Sequence, residues 1–299
     1  MPGAGESYGL NLAISQAADM FADPLLLARA QFGLNIAFHI LFPSITIALA
    51  WVLVYLRVRI GRGGAWHVQA YRLWVKVFAL SFALGVVSGI TMSFQFGTNW
   101  PGFMQKAGNI AGPLLGYEVL TAFFLEAIAI GFYLYGWDRT PPWVHWWSGI
   151  VVGVSGVLSG IFVVSANGWM NTPTGFRLVD GRPVDIDPVA AFFNAAWPHE
   201  ALHMTLSAFI ATGFAVAGIH AALLLKDRSR TLHKKAVLIA LPFAAVAALL
   251  QPLSGDQIAK HIARYQPAKL AAAEALYETT THAPLHVAGF SRLASLLRL

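Results

Sequence analysis

The stretch Gly116 to Trp137, GYEVLTAFFLEAIAIGFYLYGW, has about the length a helix needs to cross a bilayer, yet it carries two carboxylates, Glu118 and Glu126. An uncompensated charge in hydrocarbon costs at least about 2.5 kcal/mol on insertion scales, so two of them oppose insertion unless something compensates. Three compensations are chemically available: a haem or metal ion, a proton path, or a buried cation. If Glu118 lies at headgroup level, Glu126 alone still has to be accounted for.

The rest of the chain sets the class. Of its 299 residues, 57% are hydrophobic and 11% charged, where soluble domains run near about one quarter charged, so this is an integral membrane protein. The absence of cysteine excludes disulfides, thiolate metal sites and iron–sulfur clusters, leaving His, Met and carboxylate as ligands for any redox centre. The net charge of +6 is what basic cytoplasmic loops produce and does not call for nucleic acid.

The reading is an all-α, polytopic transmembrane helix bundle with six spans, at about 30–56, 73–96, 114–137, 143–164, 201–225 and 236–250. Residues 1–28 contain no Lys or Arg and only the weak apolar run LNLAI, so they lack the marks of a secretory signal and read as an external tail, 1–29. Pro43 is expected to bend the first span near His39, and Gly85 with Gly89 to let the second pack closely. Asn167 to Glu200 reads as a folded loop with turn signals at Asn171-Thr172-Pro173, Asp180-Gly181 and Asp187-Pro188. Residues 251–299 are polar and read as an external segment. His203 starts the fifth span; His199 and His220 read as interfacial or structural, and His67, His145 and His233 as loop residues.

Basic residues set the orientation. Arg57, Arg59, Arg62 and Arg72 follow the first span, Arg139 the third, and Lys226, Arg228, Arg230, Lys234 and Lys235 the fifth, which puts the N-terminus outside. His39, Glu118 and His203 then fall at similar depth near the outer face. Two histidines and a carboxylate without cysteine suit a membrane haem protein, because imidazole ligates iron axially.

At the level of motifs, QFGLNIAFHILFPSITIALA (Gln31 to Ala50), FALGVVSGITMSFQFGTNW (Phe82 to Trp100), YEVLTAFFLEAIAIGFYLYGWDR (Tyr117 to Arg139), SANGWMNTP (Ser165 to Pro173) and ALHMTLSAFIATGFAV (Ala201 to Val216) resemble subunit I of the cytochrome bd-type quinol oxidases. His203-Met204 and Ser93 are more like the cyanide-insensitive branch; many members of the better-known branch have Glu at the Ser93 position. The resemblance implies haem b558, haem b595 and haem d, or a b-type haem in its place. It implies that His39 ligates one of the two high-spin haems, that Glu118 lies beside or on that pair, and that Glu126 is in the proton path feeding it. His203 would be an axial ligand of haem b558, while Lys269 and Glu274 would serve quinol oxidation in an external quinol loop. The implied partners are subunit II, small accessory subunits, quinol, dioxygen and the lipid bilayer, in a bacterial inner (plasma) membrane.

Family members continue with further spans that supply a methionine partner for His203, a Gly-Arg-rich segment and a further glutamate. The tail Gly289 to Leu299 no longer resembles them, so the expectation is a truncated or frame-shifted version that does not oxidise quinol by itself. The alternatives are a non-catalytic remnant and an ion-coupled secondary transporter whose Glu118 and Glu126 bind the coupling ion; the lack of inverted repeats speaks against the latter.

Overall fold

The computed structural model describes residues 23–60 and 65–276, so most of the external tail, Arg62 and the far part of the external loop lie outside the described residues. Six helical segments are long and apolar enough to cross a membrane: Pro24–Ile60, Trp66–Thr98, Pro101–Tyr135, Pro142–Asn171, Trp197–Lys226 and Thr231–Tyr265. Large apolar side chains such as Leu80, Phe94, Leu225 and Leu249 stay exposed on their outer faces. Water would penalise such a surface, and hydrocarbon does not.

The first span begins at Pro24, earlier than expected, because the Asp23 carboxylate caps it by accepting from the Leu25 N–H at 2.9 Å. It is two helices, Pro24–His39 and Leu41–Ile60, that meet at Ile40. The interruption sits beside His39 because Pro43 has no N–H to give the His39 carbonyl.

The third span differs most from expectation. The polar connection after the second span folds as a helix from Pro101, whose missing N–H costs nothing at a first helical position. The span is Pro101–Tyr117, a π-helical turn Glu118–Phe123, and Phe124–Tyr135. Glu118 therefore lies in the middle of the span and not at its outer start. Within the turn the Phe124 N–H reaches back to the Val119 carbonyl, and the Thr121 hydroxyl donates to the Tyr117 carbonyl at 2.6 Å.

The fourth span runs past its expected end to Asn171, where loop contacts hold it: Asn194 Nδ2 donates to the Ser165 carbonyl at 3.0 Å, and Trp169 Nε1 to the Thr174 carbonyl at 3.0 Å. Beyond it, strands Arg177–Val179 and Arg182–Val184 pair antiparallel around Asp180-Gly181, both at positive φ as a two-residue hairpin turn requires. Asp187 caps the short helix Pro188–Phe192.

The sixth span also outruns its expected end at Leu250 and continues to Tyr265 despite Pro242 and Pro252. Gln251 to Tyr265 is thus helix, and only from Gln266 does the chain leave it, through the short helix Pro267–Ala273. The cause is tertiary: Gln251 and Ser254 face the fifth span and are held by His203, so their polarity marks an inward face.

One buried cluster ties all six spans together, with Leu49 and Leu53 of the first, Phe78, Tyr133, Val152, Val216 and Ala240. The fifth and sixth spans pack closest. A Cβ at Gly213 would lie 2.7 Å from Ala244 Cβ and 3.1 Å from the Ala240 carbonyl oxygen. In the turn between them, hydrogen bonds from the Ser229 hydroxyl and amide, joined by Arg230, hold the Asp227 carboxyl at about 2.

Candidate functional site

His39 is fixed by the second span. Ser88 Oγ lies 2.7 Å from its own helix's Leu84 carbonyl and 2.9 Å from His39 Nδ1. Its single hydrogen goes to the carbonyl, so it accepts from His39 Nδ1–H, and Nε2 keeps its lone pair. One turn earlier Asn35 Nδ2 donates to Gln95 Oε1 at 3.2 Å, and Gln31 Oε1 accepts from Asn99 Nδ2 at 2.8 Å. A polar ladder at i, i+4 and i+8 thus joins the first two spans and ends on His39. Gly89 leaves the ring its room, since a Cβ there would stand 3.0 Å from His39 Cε1.

The same device recurs at His203. Ser254 Oγ donates to the Gln251 carbonyl at 2.9 Å and accepts from His203 Nδ1–H at 2.8 Å, so again Nε2 carries the lone pair. That lone pair meets the Gln251 side-chain N–H at 2.9 Å, while Gln251 Oε1 is buried with no hydrogen-bond partner among the described residues. An imidazole whose Nδ1–H is held by an oxygen and whose Nε2 is available is the donor form that metal-ligating histidines adopt. Both residues fit an axial haem ligand, His203 once the Gln251 amide turns aside.

The two carboxylates meet the fourth span on one face. Ser159 Oγ donates to Glu118 Oε1, and Glu126 Oε1 lies 3.5 Å from where a Cβ would stand on Gly156, one turn from Ser159. Glu126 is 7% exposed, and among the described residues no ion pair includes either carboxylate, which removes the buried-cation compensation. Their shared face is not what an α-helix gives: the eight-step spacing from Glu118 to Glu126 rotates the second by about 80°. The π turn absorbs about one residue and reduces the offset to about 20°.

His39, Glu118 and His203 lie on three different spans. Each is held in a separate pairing, and among the described residues no three His or carboxylate groups gather as a protein-only metal site. Ser93 is exposed on the second span. Lys269 lies in the short helix after the sixth span and donates to Asn171 Oδ1 at 3.1 Å, and Glu274 follows as that helix's C-cap.

Several residues were misplaced by sequence alone. Arg57 is inside the first span, where its Nε donates to His145 Nδ1 at 3.1 Å and its guanidinium stands 4.6 Å over Trp137. His145 is fully buried in the fourth span and donates from Nε2 to the Tyr133 carbonyl at 3.0 Å. His67 is buried in the second span. His233 is buried in the sixth span, where its Nδ1 lies 2.7 Å from that of His220, which the fifth span carries in the structural position expected of it. The only signal for these was a basic or imidazole residue within a turn of an apolar run.

Comparison with known proteins agrees with this architecture. The description "Cytochrome bd terminal oxidase subunit I" matches residues 27–295. The chain is 33% identical over 255 residues to "Cytochrome bd ubiquinol oxidase subunit 1" of Bacillus subtilis (strain 168), covering 85% of this chain and 54% of that one. It is 33% identical over 269 residues to "Cytochrome bd-II ubiquinol oxidase subunit 1" of Escherichia coli (strain K12), covering 89% and 52%. Among solved structures it is similar to the bd oxidase of Geobacillus thermodenitrificans, with a TM-score of 0.82 and 36% identity over 88% of this chain and 61% of that one. The chain thus spans less than two thirds of the length of these relatives. With six spans in the same arrangement and the match running through nearly all of them, the chain belongs to the cytochrome bd terminal oxidase subunit I family.

Proposed function

We propose that this chain carries the haem sites of a terminal quinol oxidase, which oxidises quinol at the outer face of the bacterial inner membrane and reduces dioxygen to water. The observation that carries the reading is the paired Ser–His arrangement. Two histidines on different spans each have Nδ1–H locked by a serine, leaving Nε2 as a donor atom. His39 would hold one of the high-spin haems, b595 or d, and His203 haem b558. Bound haem iron supplies one-electron transfer and, at an open position, oxygen binding.

The chain's own residues would do the remaining work. Glu126 and Glu118, aligned along the fourth span, hold and pass protons on their carboxylate oxygens towards the oxygen site, the Ser159 hydroxyl steadying Glu118. Lys269 and Glu274 act at the quinol from the outer side. With the basic loops inside, protons consumed come from the cytoplasm and protons released by quinol go outside, so a proton gradient forms without pumping. Subunit II and small accessory subunits complete the assembly.

The test is a reduced-minus-oxidised spectrum of membranes carrying the protein. Haem b bands that are lost from the high-spin region in His39→Ala and from the low-spin region in His203→Ala are the expected result. A chain without haem bands, as an ion-coupled transporter would be, overturns the proposal.

A further inference from the structure

The fifth and sixth spans also meet at the end of the bundle that carries the basic turn. His220, less than two turns before the fifth span ends at Lys226, and His233, in the first turn of the sixth, place their Nδ1 atoms 2.7 Å apart, with ring centroids at 4.9 Å. The two side chains are 2% and 9% exposed, and His220 Nε2 is buried with no hydrogen-bond partner among the described residues. The pair stands apart from the haem-ligand candidates: His203 is almost five turns further along the fifth span, about 25 Å away.

The surroundings of the pair are apolar or basic. On the second span Trp74 meets His220 edge-on at 5.3 Å; the titratable groups of that end are His67, buried two turns before it, and Arg72 and Lys76, both exposed. The first span brings Arg57, engaged by His145 of the fourth, and the exposed Arg59. In the turn and at the start of the sixth span, Lys226, Arg228 and Lys234 are exposed, and Lys235 lies over Trp66 at 4.6 Å. The turn's carboxylate, Asp227, is taken by Ser229 and Arg230, and that of the third span's end, Asp138, is exposed. No carboxylate is hydrogen-bonded to either imidazole among the described residues, so nothing there compensates a positive charge on the pair.

A contact between two Nδ1 atoms holds one proton, with one ring donating and the other accepting. His220 is assigned the Nδ1–H, because its other tautomer would bury an Nε2–H with nothing to accept it, which costs more than a lone pair left alone. His233 then accepts at Nδ1 and keeps its own N–H at Nε2. Each site for a further proton works against the contact. A proton on His233 Nδ1 would set two N–H groups against each other, and one on His220 Nε2 would create a buried cation with an unsatisfied donor. We propose that His220 and His233 form a proton-operated latch between the basic ends of the fifth and sixth spans, closed while both imidazoles are neutral and released when either takes up a proton. Release is local, since the close approach of Gly213 to Ala244, two turns from His220, still holds the two spans together. The positive-inside rule makes this the cytoplasmic side, so the latch responds to cytoplasmic acidification through the range in which imidazole ordinarily titrates, near about 6.5. It does not depend on the oxidase reading.

Hydrogen–deuterium exchange of the full chain in detergent micelles tests it. With rates corrected for the intrinsic effect of pH, peptides covering 216–224 and 231–240 should exchange about tenfold faster at about pH 5.5 than at about pH 7.5, the loss of one buried hydrogen bond, while peptides from 151–164 of the fourth span keep their rates. In His233→Gln the side-chain oxygen still accepts from His220 Nδ1–H but does not titrate, so the acceleration should disappear. His220→Phe has no such contact to lose, and its two rates should be equal at both pH values. A wild-type acceleration below about twofold, one that extends equally to the fourth span, or one that survives in His233→Gln overturns the latch. The wild-type comparison needs no variant to fold.

Discussion

Replacing Ser88 by alanine isolates the device that orients His39. The side chain is 5% exposed; its hydroxyl donates to its own helix's carbonyls, Leu84 at 2.7 Å with Gly85 at 3.1 Å, and accepts from His39 Nδ1. Loss of the donated bond is nearly neutral, because the helix carbonyls keep their backbone partners. Loss of the second leaves a part-buried N–H unsatisfied, at about 1–3 kcal/mol, and frees the ring to rotate or to change tautomer. Outer partners of metal-ligating histidines are worth about 10–100-fold in affinity, or about 1.4–2.8 kcal/mol, and the two estimates agree. Ser88→Ala should therefore lower haem retention at the His39 site by that factor, read as haem per protein after dilution and as loss of the matching band in the reduced-minus-oxidised spectrum. Ser93→Ala is the control, since that exposed hydroxyl bonds only its own helix carbonyl at Gly89. Wild-type haem content in Ser88→Ala, or an equal loss in Ser93→Ala, would refute the reasoning.

Three further outcomes follow from the geometry. Glu126→Gln should cut oxygen reduction by about 100-fold or more while haem content holds, because the amide fills the same volume against Gly156 but carries no proton; unchanged turnover in the full oxidase would count against a proton role. Gly213→Ala forces a methyl against Ala244 and the Ala240 carbonyl, an overpacking cost of about 1–3 kcal/mol, so detergent-solubilised protein should unfold at lower temperature; an unshifted midpoint would show that the two spans separate freely. The Asp227 carboxyl is held at about 2, below its ordinary value, so its turn contributes stability that is present above the unfolded-state pKa and lost as pH falls through the folded one. The stability difference between the wild type and Asp227→Asn should accordingly stay constant between pH 5 and 8, and a difference that grows across that range would contradict the assignment.

The spans themselves were legible because about twenty consecutive apolar residues have few other solutions. Their ends were not. Gln251 to Tyr265 and Pro101 to Tyr117 are polar for reasons a single chain does not disclose: in the former, Gln251 and Ser254 face His203 rather than water. Arg57 and His145 were read as loop residues for the same cause, since a buried cation that donates to an imidazole has the composition of a cytoplasmic turn. The candidate ligands His39 and His203 could be picked out by depth and motif, but the serines that orient them could not, because a serine in a helix normally bonds its own backbone. Glu118 was expected at the outer start of the third span and stands in its middle, because the helix already starts at Pro101.

The widened turn at Glu118–Phe123 also constrains how relatives of this chain can be aligned. A homologue whose third span is α-helical throughout can keep its two carboxylates on the fourth span's face only if they stand one residue closer in sequence. A single-residue gap between those positions is then a structural signature to be kept, and closing it would pair residues that point in different directions. Conversely, any relative with the same spacing as Glu118 and Glu126 must carry the widened turn somewhere between them, or turn one carboxylate towards lipid.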